Sequence, residues 1–219
     1  TLPGKIKFKD LDGDGQITEN DRTVIGNTTP KFQGGFGLSG QWKNFDFTAN
    51  FNYMVDFDVY NATNYMLSSS ISNTNNFYNV LADFTQKNRW TYVRADGECL
   101  YKNTNIDGSV NEYITMNAGK SLWNPADVED KVTHSYFVED GSFLRLQDVT
   151  IGYTLPSNLT KKWGMSKVRF YASASNLFIL TGYSGYDPEV DVQSGLTPSM
   201  DYNRYPRSRS FVFGTNITF

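Results

Sequence analysis

The last nine residues alternate without a break. Phe211, Phe213, Thr215, Ile217 and Phe219 share one face of an extended strand, and Val212, Gly214, Asn216 and Thr218 share the other. Side chains in a strand point alternately to its two faces, so one face here is apolar and the other small or polar. A membrane β-barrel strand has this pattern, apolar toward lipid and polar toward the lumen. A soluble β-sandwich also alternates, and the tail favours the barrel only modestly.

The same pattern recurs upstream. Residues 34–42 set Phe36, Leu38 and Trp42 against Gly35, Gly37, Ser39 and Gln41. After a turn at Lys43-Asn44, residues 45–55 set Phe45, Phe47, Ala49, Phe51, Tyr53 and Val55 against Asp46, Thr48, Asn50 and Asn52. A third strand is expected over 143–155, its apolar phase slipping by one residue near Gln147-Asp148, which points either to a bulge or to pairing above the bilayer. A fourth is expected over 167–180, and the tail is the fifth. The set Phe36, Leu38, Phe47, Phe51, Phe170, Phe211, Phe213 and Ile217 is expected to face lipid.

The connections alternate too: short at 43–44, long at 56–141, short at 157–166, long at 182–207. Bacterial barrels have short periplasmic turns and long extracellular loops. The C-terminus is therefore expected on the periplasmic side, with the residues before Gly34 outside the cell. One helix is expected near 60–69. Five strands cannot close, and an open edge in a bilayer leaves backbone groups unpaired, so a larger barrel is expected.

Composition agrees. Aromatic residues make up 16% of the chain, yet the mean hydropathy is −0.48. Alternation hides a lipid face from such averages. No apolar run has the length of a membrane helix; Leu177-Phe-Ile-Leu180 is the longest near the tail. A net charge of −3 gives no reason to expect nucleic-acid binding. With Cys99 alone, no internal disulfide forms, and an ordinary loop thiol is the reading. The opening Thr1-Leu-Pro-Gly carries no export or lipidation signal. The expectation is a signal already removed, or the later part of a longer chain.

One motif points to an ion. Asp10, Asp12 and Asp14 place side-chain oxygens at positions 1, 3 and 5 of an EF-hand-type loop. Gly15 stands at the sharp turn, Gln16 offers its carbonyl at position 7, Thr18 is at 9 and Asp21 at 12. Four carboxylates this close repel without a cation, so a structural calcium is expected; the other reading is an acidic turn without an ion. Asp21 reaches less far than the usual glutamate, and no flanking helices are evident. Gly35-Phe-Gly37-Leu-Ser-Gly40 matches a dinucleotide fingerprint but lies inside an alternating strand with no helix after it. His134 reads as a solvated loop histidine. There is no catalytic triad, phosphate loop or zinc spacing, and no enzyme is expected. In the long loops, Trp90, Tyr92, Trp123 and Tyr186 are candidate substrate or partner contacts, since aromatic rings offer rigid surface. Equally, they pack the loops against each other.

Several stretches then resemble one family in order along the chain. They are Lys5-Ile-Lys-Phe-Lys-Asp-Leu-Asp-Gly-Asp-Gly15, Asp21-Arg-Thr-Val-Ile-Gly-Asn27 and Pro30-Lys-Phe-Gln-Gly-Gly-Phe36. Further along come Val138-Glu-Asp-Gly-Ser-Phe-Leu-Arg-Leu-Gln-Asp-Val-Thr-Ile-Gly-Tyr153, Ser175-Asn-Leu-Phe178, Tyr183-Ser-Gly-Tyr-Asp-Pro-Glu189 and the final Phe219. Together they resemble the last barrel strands of SusC/RagA-type TonB-linked outer-membrane transporters, apart from a variable loop at about 95–131. The resemblance implies an all-β fold, antiparallel transmembrane strands of a larger barrel with long extracellular loops. It implies residues 1–33 as an extracellular loop with the calcium motif and 34–219 as the C-terminal portion of the barrel. It further implies uptake of oligosaccharide or peptide across the Gram-negative outer membrane. The implied partners are the rest of the barrel and its plug, a SusD-like lipoprotein, outer-membrane lipid, and the TonB complex through an N-terminal region absent here. No substrate-binding residue is fixed by these motifs. The competing class is a calcium-stabilised extracellular carbohydrate-binding or adhesion β domain.

Overall fold

The computed structural model describes residues 4–69, 79–94, 96–97, 101–102, 105–106, 110–125, 132–190 and 198–219. In chain order the strands are β1 (Phe32–Trp42), β2 (Phe45–Val55), β3 (Asp58–Asn61), β4 (Tyr101–Lys102), β5 (Asn105–Ile106), β6 (Val138–Asp140), β7 (Phe143–Thr154), β8 (Lys167–Thr181), β9 (Met200–Asp201) and β10 (Ser210–Thr218). The α-helices are short: α1 (Ala62–Leu67), α2 (Val110–Met116) and α3 (Ser157–Thr160). Among the described residues no helix is long and apolar enough to cross a membrane, which says nothing of strands.

The chain forms two compact units. One comprises Ile25–Ala62 and Ser135–Phe219; the other comprises Thr1–Val24 and Thr63–His134. The first is built on a five-stranded sheet in the order β1-β2-β7-β8-β10. All its neighbouring pairs are antiparallel. The five strands expected from alternation are these five, and α1 falls inside the expected 60–69. The two long connections also carry structure of their own. Within them β3 pairs antiparallel with β6 and parallel with β9.

The register carries the alternation across the whole sheet. Leu38 opposes Ala49, Ala49 opposes Val149, Val149 opposes Ala174, and Ala174 opposes Phe211. The next row is Gly40, Phe47, Ile151, Ala172 and Phe213. A third is Trp42, Phe45, Tyr153, Phe170 and Thr215. Directly paired residues share a face, so a single apolar face runs through all five strands. A one-residue slip would turn a strand's apolar set to the other side. The slip expected near Gln147 is real: β2 steps from Asn50 to Phe51 while β7 steps from Asp148 to Leu146. Gln147 is the extra residue, and its bulge puts Leu144 and Leu146 on the same face as Val149 and Ile151.

The opposite face is polar and tied across strands. Arg169 Nε on β8 donates to Asp46 Oδ2 on β2 at 2.8 Å, spanning β7. It can do so because Gly152 lies beneath; a Cβ there would meet both the guanidinium and the carboxylate. Thr150 and Ser173 hydroxyls share a hydrogen bond of 2.8 Å, and Ser175 Oγ donates to Asp148 Oδ1 at 2.9 Å. Replacing Gly152 with Val is expected to displace the Arg169–Asp46 pair and lower stability by about 1 kcal/mol, in line with a partly exposed ion pair. A double-mutant cycle with Arg169→Met checks this. The second change should add little once Gly152→Val is present.

Candidate functional site

The two faces of the five-stranded sheet have different neighbours, and this defines the functional surface. On the apolar face Leu38 is 53% exposed, Phe213 80% and Phe211 61%. Phe36, Phe47, Phe170 and Ile217 are exposed as well, while Phe51 is partly covered. Rings on adjacent strands stack there; Phe36 and Phe51 lie 4.8 Å apart with planes at 12°. All eight residues expected to face lipid fall on this side. At the short-turn end the row Trp42, Phe45, Tyr153 and Phe170 is aromatic on four successive strands. Lys43 sits 4.9 Å over the Trp42 ring. Aromatic girdles of this kind mark the edge of a barrel's apolar band. β1 has 11 residues. At ~3.3 Å per residue and a tilt of ~45°, that strand spans about 25 Å of height, the thickness of such a band.

The polar face is covered by the chain itself, at the long-loop end. Phe143, Met54 and Ile179 project from that face into a core with Phe57, Val59, Tyr183 and Val190. Val59 is fully buried and Phe143 is 4% exposed. Arg145, on the same face, is also 4% exposed, and its Nη2 donates to Asp187 Oδ1 at 2.6 Å. Arg207 reaches Glu189 at 3.0 Å. Glu139 accepts from Asn61 Nδ2 at 2.9 Å and from the backbone N–H and hydroxyl of Ser184, both at 2.8 Å. Tyr183 donates its hydroxyl to Asp201 at 2.7 Å; burial, then this carboxylate, pushes its pKa far up and holds the phenol neutral. Sequence reasoning missed this network. Its one visible signal was Arg145, a charge between Leu144 and Leu146.

The other unit holds the acidic loop. Asp10, Asp12 and Asp21 bring carboxylate oxygens within 4.8 Å of one another. Gly13 and Gly15 take the left-handed backbone, φ 79° and 82°, that a tight loop needs. Asp10 accepts from the N–H groups of Gly13 and Gly15, at 2.6 and 2.9 Å. Asp21 accepts from Thr18 at 2.6 Å and Leu11 at 2.7 Å, and these bonds, Thr18 first, hold its carboxyl below the usual range. Asp14 instead accepts from the Gln16 N–H at 2.7 Å. The group of three is thus assembled without Asp14. Thr18 caps the short 3-10 turn Glu19–Asp21, which turns Asp21 back toward the loop.

The aromatic candidates divide. Tyr92 is buried, stacked on Tyr113 at 5.1 Å. Trp90 meets the Tyr113 ring edge-on at 5.2 Å and donates Nε1 to the Lys120 carbonyl at 3.2 Å. Trp123 packs edge-on against Phe84 at 5.2 Å. Tyr186 is 75% exposed. His134 corrects its expectation: it is buried at 8%, with Phe8 and Tyr65 edge-on to its ring. Burial between two apolar rings is what a hydropathy pattern over a loop does not reveal. Burial also pushes its pKa down. Cys99 lies outside the described residues.

Fold and faces define a class: an antiparallel wall, part of a larger β-barrel. No family model matches the chain. Among curated proteins it is 34% identical over 223 residues to TonB-dependent receptor P3 of Formosa agariphila, covering 99% of this chain and 19% of that protein. It is 28% identical over 219 residues to TonB-dependent receptor SusC of Bacteroides thetaiotaomicron, covering 99% and 18%. Among solved structures it superposes on the RagAB peptide importer in its open-open state with a TM-score of 0.64, at 23% identity, over 93% of this chain and 19% of the other. A structure of the RagAB peptide transporter gives 0.64 at 24% identity, over 100% and 20%. The resemblance to SusC/RagA-type TonB-linked transporters is thereby shown along nearly the whole chain. The chain spans about a fifth of the length of the curated relatives it matches.

In the full-length protein, Phe213→Arg should cost about 2–4 kcal/mol of barrel stability, as a charge at mid-bilayer does. Asn216→Arg, on the polar face, should be tolerated. Unfolding from lipid vesicles measures both; the reverse order would invert the faces.

Proposed function

We propose that this chain forms part of the barrel wall of an outer-membrane, TonB-dependent nutrient importer. The observation that carries the reading is the largely exposed apolar face, in register over five strands, opposite a polar face that the long loops cover at one end. A soluble adhesion or carbohydrate-binding domain would have to leave that apolar face in water, where contiguous patches of this kind are rare. The relatives are named as receptors and importers, which favours transport over catalysis. The short turns and the end of β10 lie on the periplasmic side, and the long loops outside.

The cargo is an oligosaccharide or a peptide, taken up with a SusD-like surface lipoprotein over the outer mouth and driven by the TonB complex acting on a plug. The RagAB peptide importer supports the peptide side of this range by its name, and the oligosaccharide side rests on the resemblance of the motifs alone. Tyr186, exposed in the loop after β8, is the best placed of the four aromatic candidates for a contact with partner or cargo. In cells carrying the full-length gene, the protein should fractionate with the outer membrane. Cells losing it should lose TonB-dependent growth on one such polymer. Recovery in the soluble fraction without detergent would overturn the reading.

The acidic loop fits a structural calcium. Asp10, Asp12 and Asp21 supply the convergent carboxylates; Asp14, which accepts from the Gln16 N–H, would turn in with the Gln16 carbonyl to complete the set. Such an ion would order a loop with little apolar surface of its own. It would hold the loop in shape and take no part in moving cargo. Calcium prefers six to eight oxygens and tolerates irregular geometry, whereas magnesium demands a strict octahedron. Terbium luminescence or calorimetry on the full-length protein should detect binding that Asp12→Asn weakens about tenfold or more, the effect of losing a charged ligand. A structure grown in calcium should show metal–oxygen distances of about 2.3–2.6 Å, against about 2.1 Å for magnesium. An ordered loop without an ion would refute the proposal.

A further inference from the structure

The segment 183–190 follows β8 and folds back over the polar face of the sheet that produced it. Tyr183 and Val190 are buried at its two ends, at 6% and 9%, and Pro188 is fully buried between them. Three separate ties hold it. Arg145 projects from β7 and binds Asp187 at 2.6 Å. Its Nε also faces Glu189 Oε2 at 3.3 Å, with both atoms sealed from solvent and neither making a hydrogen bond. Glu139 on β6 takes both the N–H and the hydroxyl of Ser184. Tyr183 donates to Asp201 on β9. Between these ties Tyr186 is left 75% exposed.

We propose that residues 183–190 are a fixed rib on the inner wall, narrowing the passage at its outer end, and that Arg145 is the positioning residue that holds the rib and the Tyr186 ring in place. This rests on the polar face being the lumen face. A loop meant to swing would meet the wall through few contacts and exposed polar bonds. This one meets it through an apolar core and a buried guanidinium. Arg145 suits the task because its rigid planar fork presents Nη2 to Asp187 and Nε to Glu189 in a fixed geometry, where an ammonium is a single point charge on a flexible stem. Removing Arg145 would leave Asp187, little exposed, with Arg207 only at 3.9 Å, while Glu189 would keep the half-exposed Arg207 at 3.0 Å. Buried charges stripped of a partner rearrange toward water rather than stay. Arg145 touches no cargo; it acts through the rib.

The test uses the full-length transporter in lipid, with Cys99 and every other native cysteine of the full-length chain replaced by Ser. Nitroxide labels at Tyr186→Cys and Ser39→Cys report the rib against the polar face of β1. With Arg145 present, the spin–spin distance distribution should be single and narrow. Arg145→Met should broaden it about twofold or more, as release of a packed segment does. Arg145→Lys, which keeps the charge and loses the fork, should fall between the two. If Arg145→Met fails to reach the membrane, the Asp187→Asn/Glu189→Gln double variant is read in its place, with the same broadening expected. A broad distribution in the parent, or an unchanged narrow one in the variants, would overturn the rib. Lipid accessibility of a separate label at Phe213→Cys is measured alongside. If it is lost in the parent protein, the assignment of faces has failed, not the rib.

Discussion

Backbone hydrogen bonding in a medium without water constrains everything else here. Each strand of the five-stranded sheet must pair on both edges, because an unpaired N–H or C=O in hydrocarbon costs several kcal/mol. Inside the sheet that demand is met by long antiparallel ladders. At β1 and β10 it is met only by further strands, since these are the sheet's two ends. The apolar face, the polar lumen side and the placement of loops all follow once the ladder is in place. A ladder in register also makes the face continuous, because every directly opposed pair inherits the same side.

The polar face shows how a wall is stiffened from within. Arg169 on β8 reaches Asp46 on β2 across a glycine of the strand between them. At the other end Arg145 joins the loop after β8 to the wall. Both arginines are paired, but only the Arg145 pair is buried; breaking a buried pair by removing one side commonly costs about 3–5 kcal/mol, against about 1 kcal/mol or less for an exposed one. The two differ in setting. The Arg169 pair is partly exposed and holds strand to strand, whereas Arg145 is sealed under the loop and holds loop to strand.

Much of this was legible in the sequence. Strand alternation fixes which residues share a face, and it located all five strands of the wall and the bulge at Gln147. The glycine and aspartate spacing located the acidic loop, and Asp10, Asp12 and Asp21 do converge. Other features were not legible, for physical reasons. The Arg145 network joins residues far apart in the chain, and no local period encodes such pairs. His134 is buried by Phe8, more than a hundred positions away in the same unit. β3, β6 and β9 are only two to four residues long, too short for alternation to register. Nor does an aromatic residue in a loop declare its role: Tyr92 packs inward on Tyr113, while Tyr186 stands in the open.

The central claim is that the odd-numbered face of the last strand meets lipid. A nitroxide scan of residues 211–217 in the full-length protein, in lipid bilayers, tests it most directly. Collision with oxygen, which concentrates in the bilayer, should be high at Phe211, Phe213, Thr215 and Ile217 and low at Val212, Gly214 and Asn216. A water-soluble nickel complex should give the opposite pattern wherever the lumen is wet. A period of two in this phase is what the account predicts. The opposite phase, or uniform access to the nickel complex at every position, would contradict it.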